Sequence, residues 1–190
     1  MIYHFSHPAK KYFLLSIVWF LYIHLGYAQQ ITGVATKWND SFREWEVYTN
    51  DEDIIGNISL QSTTNDDWSS WIYQVGDHFG TIKLKWSNDE SQWELRGENE
   101  IITARTLWRN DFSAWNCYDG QQRIKWKALY KTPMEEWRID PSGNDFSFSV
   151  FTEWEGDPRA WIIEDSSGQT LSFPYKMMLV FIAIYQSSPR

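Results

Sequence analysis

Tyr175-Lys-Met-Met-Leu-Val-Phe-Ile-Ala-Ile-Tyr185 is the stretch on which the fold turns. Ten of its eleven residues are apolar or aromatic, and neither helical nor strand periodicity gives it a hydrophilic face. A segment that is greasy on every side has to be surrounded. Eleven residues are too few to cross a bilayer as a helix, which takes about 20. Pro174 stands where a first helical residue would stand, a position for which proline is pre-organised. The reading is a short helix over about 174–186, enclosed by protein. The residues before it must then supply the enclosure.

They do so as a repeat. Trp45, Trp71, Trp93, Trp115, Trp137 and Trp161 follow one another at intervals of 26, 22, 22, 22 and 24 residues. Seven positions before each stand Trp38, Thr64, Trp86, Trp108, Tyr130 and Trp154. Fixed spacing of this kind marks one supersecondary unit used repeatedly. Each Trp of the first series opens a period-two alternation, as in Trp71/Tyr73/Val75 and Trp93/Leu95, which reads as a half-buried strand. Counting back from the second series gives the partner strands: Ile82/Leu84/Trp86, Ile102/Ala104/Thr106/Trp108, Ile124/Trp126/Ala128/Tyr130 and Phe148/Val150/Thr152/Trp154. These columns are expected to face the core, with Lys83/Lys85, Arg105 and Lys125/Lys127 facing solvent. One dry face and one wet face suit antiparallel sheet. Turn-formers such as Gly76-Asp-His-Phe-Gly80, Asp119-Gly120 and Asp165-Ser-Ser-Gly168 join the units.

The sum is a single meander of about twelve strands between Ile31 and Phe173. Open twisted sheets seldom exceed about ten strands without curling or splitting, and a twelve-stranded barrel leaves a wide interior. A helix about 10–12 Å across fits there. Small inward residues (Ala104, Thr106, Ala128, Thr152) leave it room. Fold class is therefore all-β: an antiparallel barrel of six hairpins closed around the C-terminal helix. The competing arrangement is a trefoil or solenoid of hairpins with the last segment as a thirteenth strand.

Six hairpins followed by Phe173-Pro-Tyr-Lys-Met-Met-Leu-Val-Phe-Ile-Ala-Ile-Tyr185 resemble the tubby C-terminal-like superfamily, which includes phospholipid scramblases and LURP-one-related proteins. The resemblance lies in the pattern of the chain and in the length, position and greasiness of the closing helix. It implies a binding or scaffold domain, associated with membrane surfaces in the tubby and scramblase branches. The chain departs from those branches in being acidic and in lacking the Pro-rich tail and acylated Cys cluster.

Residues 1–28 read as a secretory signal peptide: Lys10-Lys11, an apolar run from Tyr12 to Leu25, and the small-x-small site Gly26-Tyr27-Ala28. The competing reading is an uncleaved membrane anchor. The expected address is the periplasm or the outside of the cell, with residues 29–190 as one domain. Losing residues 1–28 removes two lysines and no acids, so the formal charge of −8 becomes −10. Such a chain repels nucleic acid and anionic surfaces, so no nucleic-acid partner is expected. A lone Cys117 in an exported chain forms no internal disulfide.

Catalytic candidates are few. His4, His7 and His24 leave with the signal segment, so His78 in its Gly-bracketed turn is the remaining imidazole, and Cys117 lies on the apolar face. Asn50-Asp51-Glu52-Asp53 is acidic but lacks the ligand pattern and Gly of an EF-hand loop. No enzyme, metal or cofactor is expected. The seven-residue connections carry more information. In most of them Asp or Asn sits where side-chain to backbone bonds fix a bend. Just beyond come Phe42, Trp68, Phe112 and Met134, all at one end of a closed barrel. In one account the flanking Trp rings cap the core and these four fold back on them. In the other, the four form an exposed rim for a lipid surface, a glycan or a partner protein. The expected function is an exported, non-enzymatic binding or scaffold domain of tubby-like type at a membrane surface; the alternative is a carbohydrate-binding module or adhesin.

Overall fold

The computed structural model describes residues 29–62, 67–132 and 134–189. Residues 1–28, on which the signal-peptide expectation rests, and the repeat position Thr64 lie outside the described residues. Twelve strands follow in order: β1 (Ile31–Trp38), β2 (Ser41–Thr49), β3 (Ile55–Leu60), β4 (Ser70–Val75), β5 (His78–Leu84), β6 (Gln92–Gly97), β7 (Glu100–Trp108), β8 (Asp111–Tyr118), β9 (Arg123–Ala128), β10 (Glu136–Ile139), β11 (Phe148–Trp154) and β12 (Asp157–Asp165). Each pairs antiparallel with the next, and β12 returns to β1 through Gly33–Ile162, Val34–Trp161 and Ala35–Ala160, closing the barrel. Closure leaves no unpaired edge.

Helix α1 (Phe173–Ser187) runs through the interior. It begins at a cap set by the sequence: Ser172 Oγ accepts the Tyr175 N–H, and Pro174 lies in the first turn. It ends where the Ser188 N–H returns to the Ile184 carbonyl. Every residue from Phe173 to Gln186 is buried, so the all-round apolar character has its counterpart in an all-round wall. The segment is a plug and not a thirteenth strand.

The helix lies nearest β5 to β8, where the inward residues Ile82, Ala104 and Cys117 are small enough to admit it. Phe181 packs edge-on to Trp93 with ring centroids 4.9 Å apart and to Trp71 at 5.6 Å. Tyr185 meets Trp93 at 4.6 Å. Trp126, Trp137 and Phe148 fill another part of the interior, Trp126 lying 6.1 Å from Trp137 and 5.9 Å from Phe148. Tyr73 lies across Gly80 and Gly97, which face each other between β5 and β6. A Cβ at Gly80 would sit 2.5 Å from Tyr73 Cε1, so the two glycines are what lets the ring lie flat.

One charge enters the plug. Lys176 Nζ stands 2.7 Å from Asp165 Oδ2 and donates to the Gly168 carbonyl at 2.9 Å, while Asp165 Oδ1 accepts from Ser167 N and Oγ. Both charged side chains are almost fully buried. A buried charge is tolerated only when paired and hydrogen-bonded, and this pair fastens the first turn of α1 to the end of β12. On the outer wall, exposed Lys83, Arg96, Arg105, Lys125, Arg138 and Glu164 alternate with core residues. Exposed Ile55, Ile72, Phe79, Ile101 and Ile162 are interspersed among them, so the outer wall is mixed and not one polar face.

Candidate functional site

The seven-residue spacing has a specific cause. A buried indole N–H calls for an acceptor in an apolar interior; that of Trp126 on β9 has none among the described residues, but those of the six repeat Trp do. In all six units the indole donates to the carbonyl three residues upstream. Trp45 reaches Phe42 at 3.0 Å, Trp71 reaches Trp68 at 2.9 Å and Trp93 reaches Glu90 at 3.2 Å. Trp115 reaches Phe112 at 2.7 Å, Trp137 reaches Met134 at 3.2 Å and Trp161 reaches Pro158 at 2.8 Å. The bend that presents the carbonyl is held by an Asx-type bond one residue earlier. Asp67, Asp89 and Asp111 each accept the backbone N–H of the Ser two positions on, and Asp157 accepts that of Arg159. The unit is thus an indole belt at one end of the barrel, its polar edge satisfied by its own hairpin.

Above that belt the structure corrects the sequence reading. Trp38, Trp86, Trp108, Tyr130 and Trp154 were expected on the core-facing column, and they are instead 54–70 % exposed. The cause is a register shift. Thr106 pairs with Trp115, yet Trp108 pairs with Asp111, so Phe112-Ser113-Ala114 oppose the single residue Leu107. The same shift occurs between Thr36 and Trp38 and between Thr152 and Trp154, whereas Trp86 and Tyr130 lie two residues past the ends of β5 and β9, where strand pairing has stopped. The extra residues of the returning strand fold in over the belt, and the pair at the hairpin tip is carried beyond the core. Asn88, Asn110 and Gly156, each two residues after an arc aromatic, take positive φ at 63°, 61° and 77°. The cue was in the sequence: Asn or Gly followed by Asp marks a turn with a left-handed residue and an adjoining bulge.

Phe42, Trp68, Phe112 and Met134 are all half-buried and packed against the core. Phe42 lies 5.9 Å from the Trp45 ring, Trp68 lies 5.7 Å from Trp71 and Phe112 lies 6.2 Å from Trp115. They fold back on the belt, and the flanking rings that were to cap the core are the exposed ones. The exposed aromatics therefore sit on five of six hairpins, in barrel order Trp86, Trp108, Tyr130, Trp154 and Trp38. With strands about 4.8 Å apart and tilted about 40°, the neighbouring hairpins that carry these rings stand about 12 Å apart around the rim. Two of the rings are pinned. Trp38 Nε1 donates to Glu44 Oε2 at 3.1 Å, and Trp86 Nε1 donates to Gln92 Oε1 at 2.8 Å.

Carboxylates surround this arc. Asp40, Asp89, Asp111, Glu135 and Asp157 lie in its hairpin connections. Lys131 and Ser113 hold the Asp111 carboxyl down at about 2. Of the basic groups here, Lys37, Lys131 and Arg159 are each engaged by a carboxylate of the same surface, Glu44, Asp111 and Asp157, while Arg109 is exposed beside Trp108. Beside Tyr130 opens a groove of about 430 Å³ lined by Glu135, Glu136, Glu155 and Glu164. Among the described residues, none of these four is in an ion pair. The surface is aromatic, acidic and rich in hydrogen-bond acceptors.

Comparison of the chain with protein families, with curated proteins and with solved structures returns no match in any of the three. A closed twelve-stranded barrel around one C-terminal helix is compatible with the tubby-like architecture.

The other chemical candidates are placed elsewhere. His78, near the N-terminal end of α1, has Nδ1 2.5 Å from Glu98 Oε1 and stacks on Phe173 at 4.0 Å. Cys117 is fully buried, and desolvation pushes its thiol well above the ordinary range, so little thiolate forms. The acidic turn 50–53 works as a clamp: Asn50 exchanges hydrogen bonds with Gln30, and Asp51 Oδ1 accepts the Asp53 N–H.

Proposed function

We propose that this chain is an exported, non-enzymatic binding domain on a tubby-like barrel, and that the aromatic arc at the α1 C-terminal end contacts neutral glycans. The observation that carries the reading is the set of five large aromatic side chains held 54–70 % exposed at one end of the barrel. Burying any of them on a ligand removes apolar area from water at about 25 cal/mol per Å². The folded state leaves that gain untaken.

Charge separates the ligand classes. An anionic lipid headgroup or a polyanion would meet Asp40, Glu135, Glu155 and their neighbours and be repelled within a Debye length of about 8 Å. A sugar ring presents apolar C–H groups to an indole face and hydroxyl donors at its edge, which the carboxylates and Gln92 accept. The roles seen for His78 and Cys117 support the non-enzymatic half of the proposal, since one is paired and stacked and the other is sealed in the core. Phosphoinositide recognition of the tubby kind is not carried over, because carboxylates outnumber the basic groups in the arc's hairpin connections.

The test compares sedimentation with insoluble neutral polysaccharides against sedimentation with phosphatidylserine vesicles, for wild type and for Trp108→Ala/Trp154→Ala. Expected is glycan binding that the double variant loses at unchanged thermal stability. Binding to vesicles but not glycans, or glycan binding indifferent to the two substitutions, would refute the reading.

A further inference from the structure

We infer that the arc is multivalent: each ring is a separate weak stacking site, and the ligand is a polymeric or surface-displayed neutral glycan, not a free oligosaccharide. This rests on the glycan reading above and concerns how that site is used. Three observations lead to it. The rings stand singly on separate hairpins, and among the described residues none of the five stacks on another. All five occupy the same position in the repeat, seven residues before a buried indole, and three of them (Trp38, Trp108 and Trp154) stand on the same bulged hairpin, so they are similar sites on separate hairpins and not parts of one shaped pocket. The separation of their hairpins by about two strand widths, roughly 12 Å, exceeds a single sugar ring and is nearer the length of a disaccharide unit.

A lone sugar on one exposed indole gains little, because it is open to water on all other sides. Linking the sites changes the arithmetic. Once one sugar unit is stacked, the next along a polymer is presented to the neighbouring ring at high effective concentration, and avidity exceeds single-site affinity by about 10²–10⁴ without any new contact. The arrangement around a closed barrel favours this, since the sheet fixes the spacing of the hairpins in advance and Trp38 and Trp86 are already held, which lowers the ordering cost of the second contact. The repeat has Thr64 at the sixth position, so the sequence supplies five aromatics of this kind and not six, and the five follow one another in barrel order.

The experiment measures binding of wild type and of Trp86→Ala, Trp108→Ala and Trp154→Ala, singly and combined, to a soluble neutral polysaccharide by affinity electrophoresis. In parallel, binding to the hexasaccharide of the same glycan is measured by calorimetry. Expected is a graded loss: each substitution weakens polymer binding about three- to tenfold, whichever ring is removed, and the effects multiply. The hexasaccharide is expected to bind at least about 100-fold more weakly than the polymer. A single substitution that abolishes binding while the others do nothing overturns multivalency and leaves the glycan reading standing. So does hexasaccharide binding as tight as polymer binding. Wild type that binds no glycan of either size overturns the reading on which the inference rests.

Discussion

Removing the Phe181 ring tests whether the barrel needs its plug. Phe181 is fully buried, with ring centroids 4.9 Å from Trp93, 5.6 Å from Trp71 and 5.3 Å from Tyr185. Phe181→Ala takes away the transfer free energy of the ring and leaves a cavity, a change that costs about 3–5 kcal/mol in well-packed cores. The upper part of that range applies here. The walls are tied into a continuous hydrogen-bonded ladder, and the indoles of Trp71 and Trp93 are fixed to Trp68 and Glu90, so the site collapses poorly. Against a net stability of about 5–15 kcal/mol this is a large fraction. For a domain of this size each kcal/mol is worth about 2–4 °C, so a loss of about 4–5 kcal/mol lowers the melting temperature by about 8–20 °C. Guanidinium unfolding followed by tryptophan fluorescence measures it, with the slope against denaturant unchanged if the native barrel is retained. Trp108→Ala is the control: a ring of similar bulk, 70 % exposed, whose loss changes stability by about 0.5 kcal/mol or less. If Phe181→Ala costs under about 1 kcal/mol, the barrel stands without the helix and the packing argument fails.

Three further outcomes are expected. Lys176→Met strands the Asp165 carboxylate in a buried site and destabilises by about 3–5 kcal/mol, whereas Lys176→Met combined with Asp165→Asn recovers much of the loss; equal damage from the single and the double variant would refute the pairing. Tyr73→Phe removes a buried hydroxyl that has no hydrogen-bond partner, so stability stays level or rises by about 1 kcal/mol, and a drop above 1 kcal/mol would show that the hydroxyl is satisfied in solution. Asp111, held at about 2 against an ordinary 3.8, favours the folded state above about pH 4, and that contribution fades as pH falls through 2. Lys131→Ala should raise the Asp111 value in a carboxyl-carbon NMR titration, though not fully, since Ser113 still donates to it. Lys131 is 78 % exposed, so the accompanying stability change stays below about 1 kcal/mol. An unmoved titration would dismiss the lysine as the cause.

The candidate surface was only half legible. The sequence marked the hairpin end as unusual through Phe42, Trp68, Phe112 and Met134, which share one position in the repeat. It assigned the flanking Trp to the core because period-two counting runs on past Thr106 and Thr152 without interruption. Alternation describes a regular ladder, and it fails where the partner strand carries extra residues. Only the pairing of Trp108 with Asp111, two residues out of step with Thr106 and Trp115, moved the exposed rings from one set of residues to the other.

What the sequence determined by itself follows from local constraints: six Trp at near-constant intervals, alternation on either side of them, and an eleven-residue segment with no polar face. Those patterns specify twelve strands, one buried helix and the end at which the connections gather, because periodicity and burial are properties of consecutive residues. Closure through β1 and β12, the bulges that lift Trp38, Trp108 and Trp154 clear of the core, and the acidic groove beside Tyr130 were not legible in local periodicity. They depend on inter-strand register, which is settled only when the whole ladder is assembled around the helix.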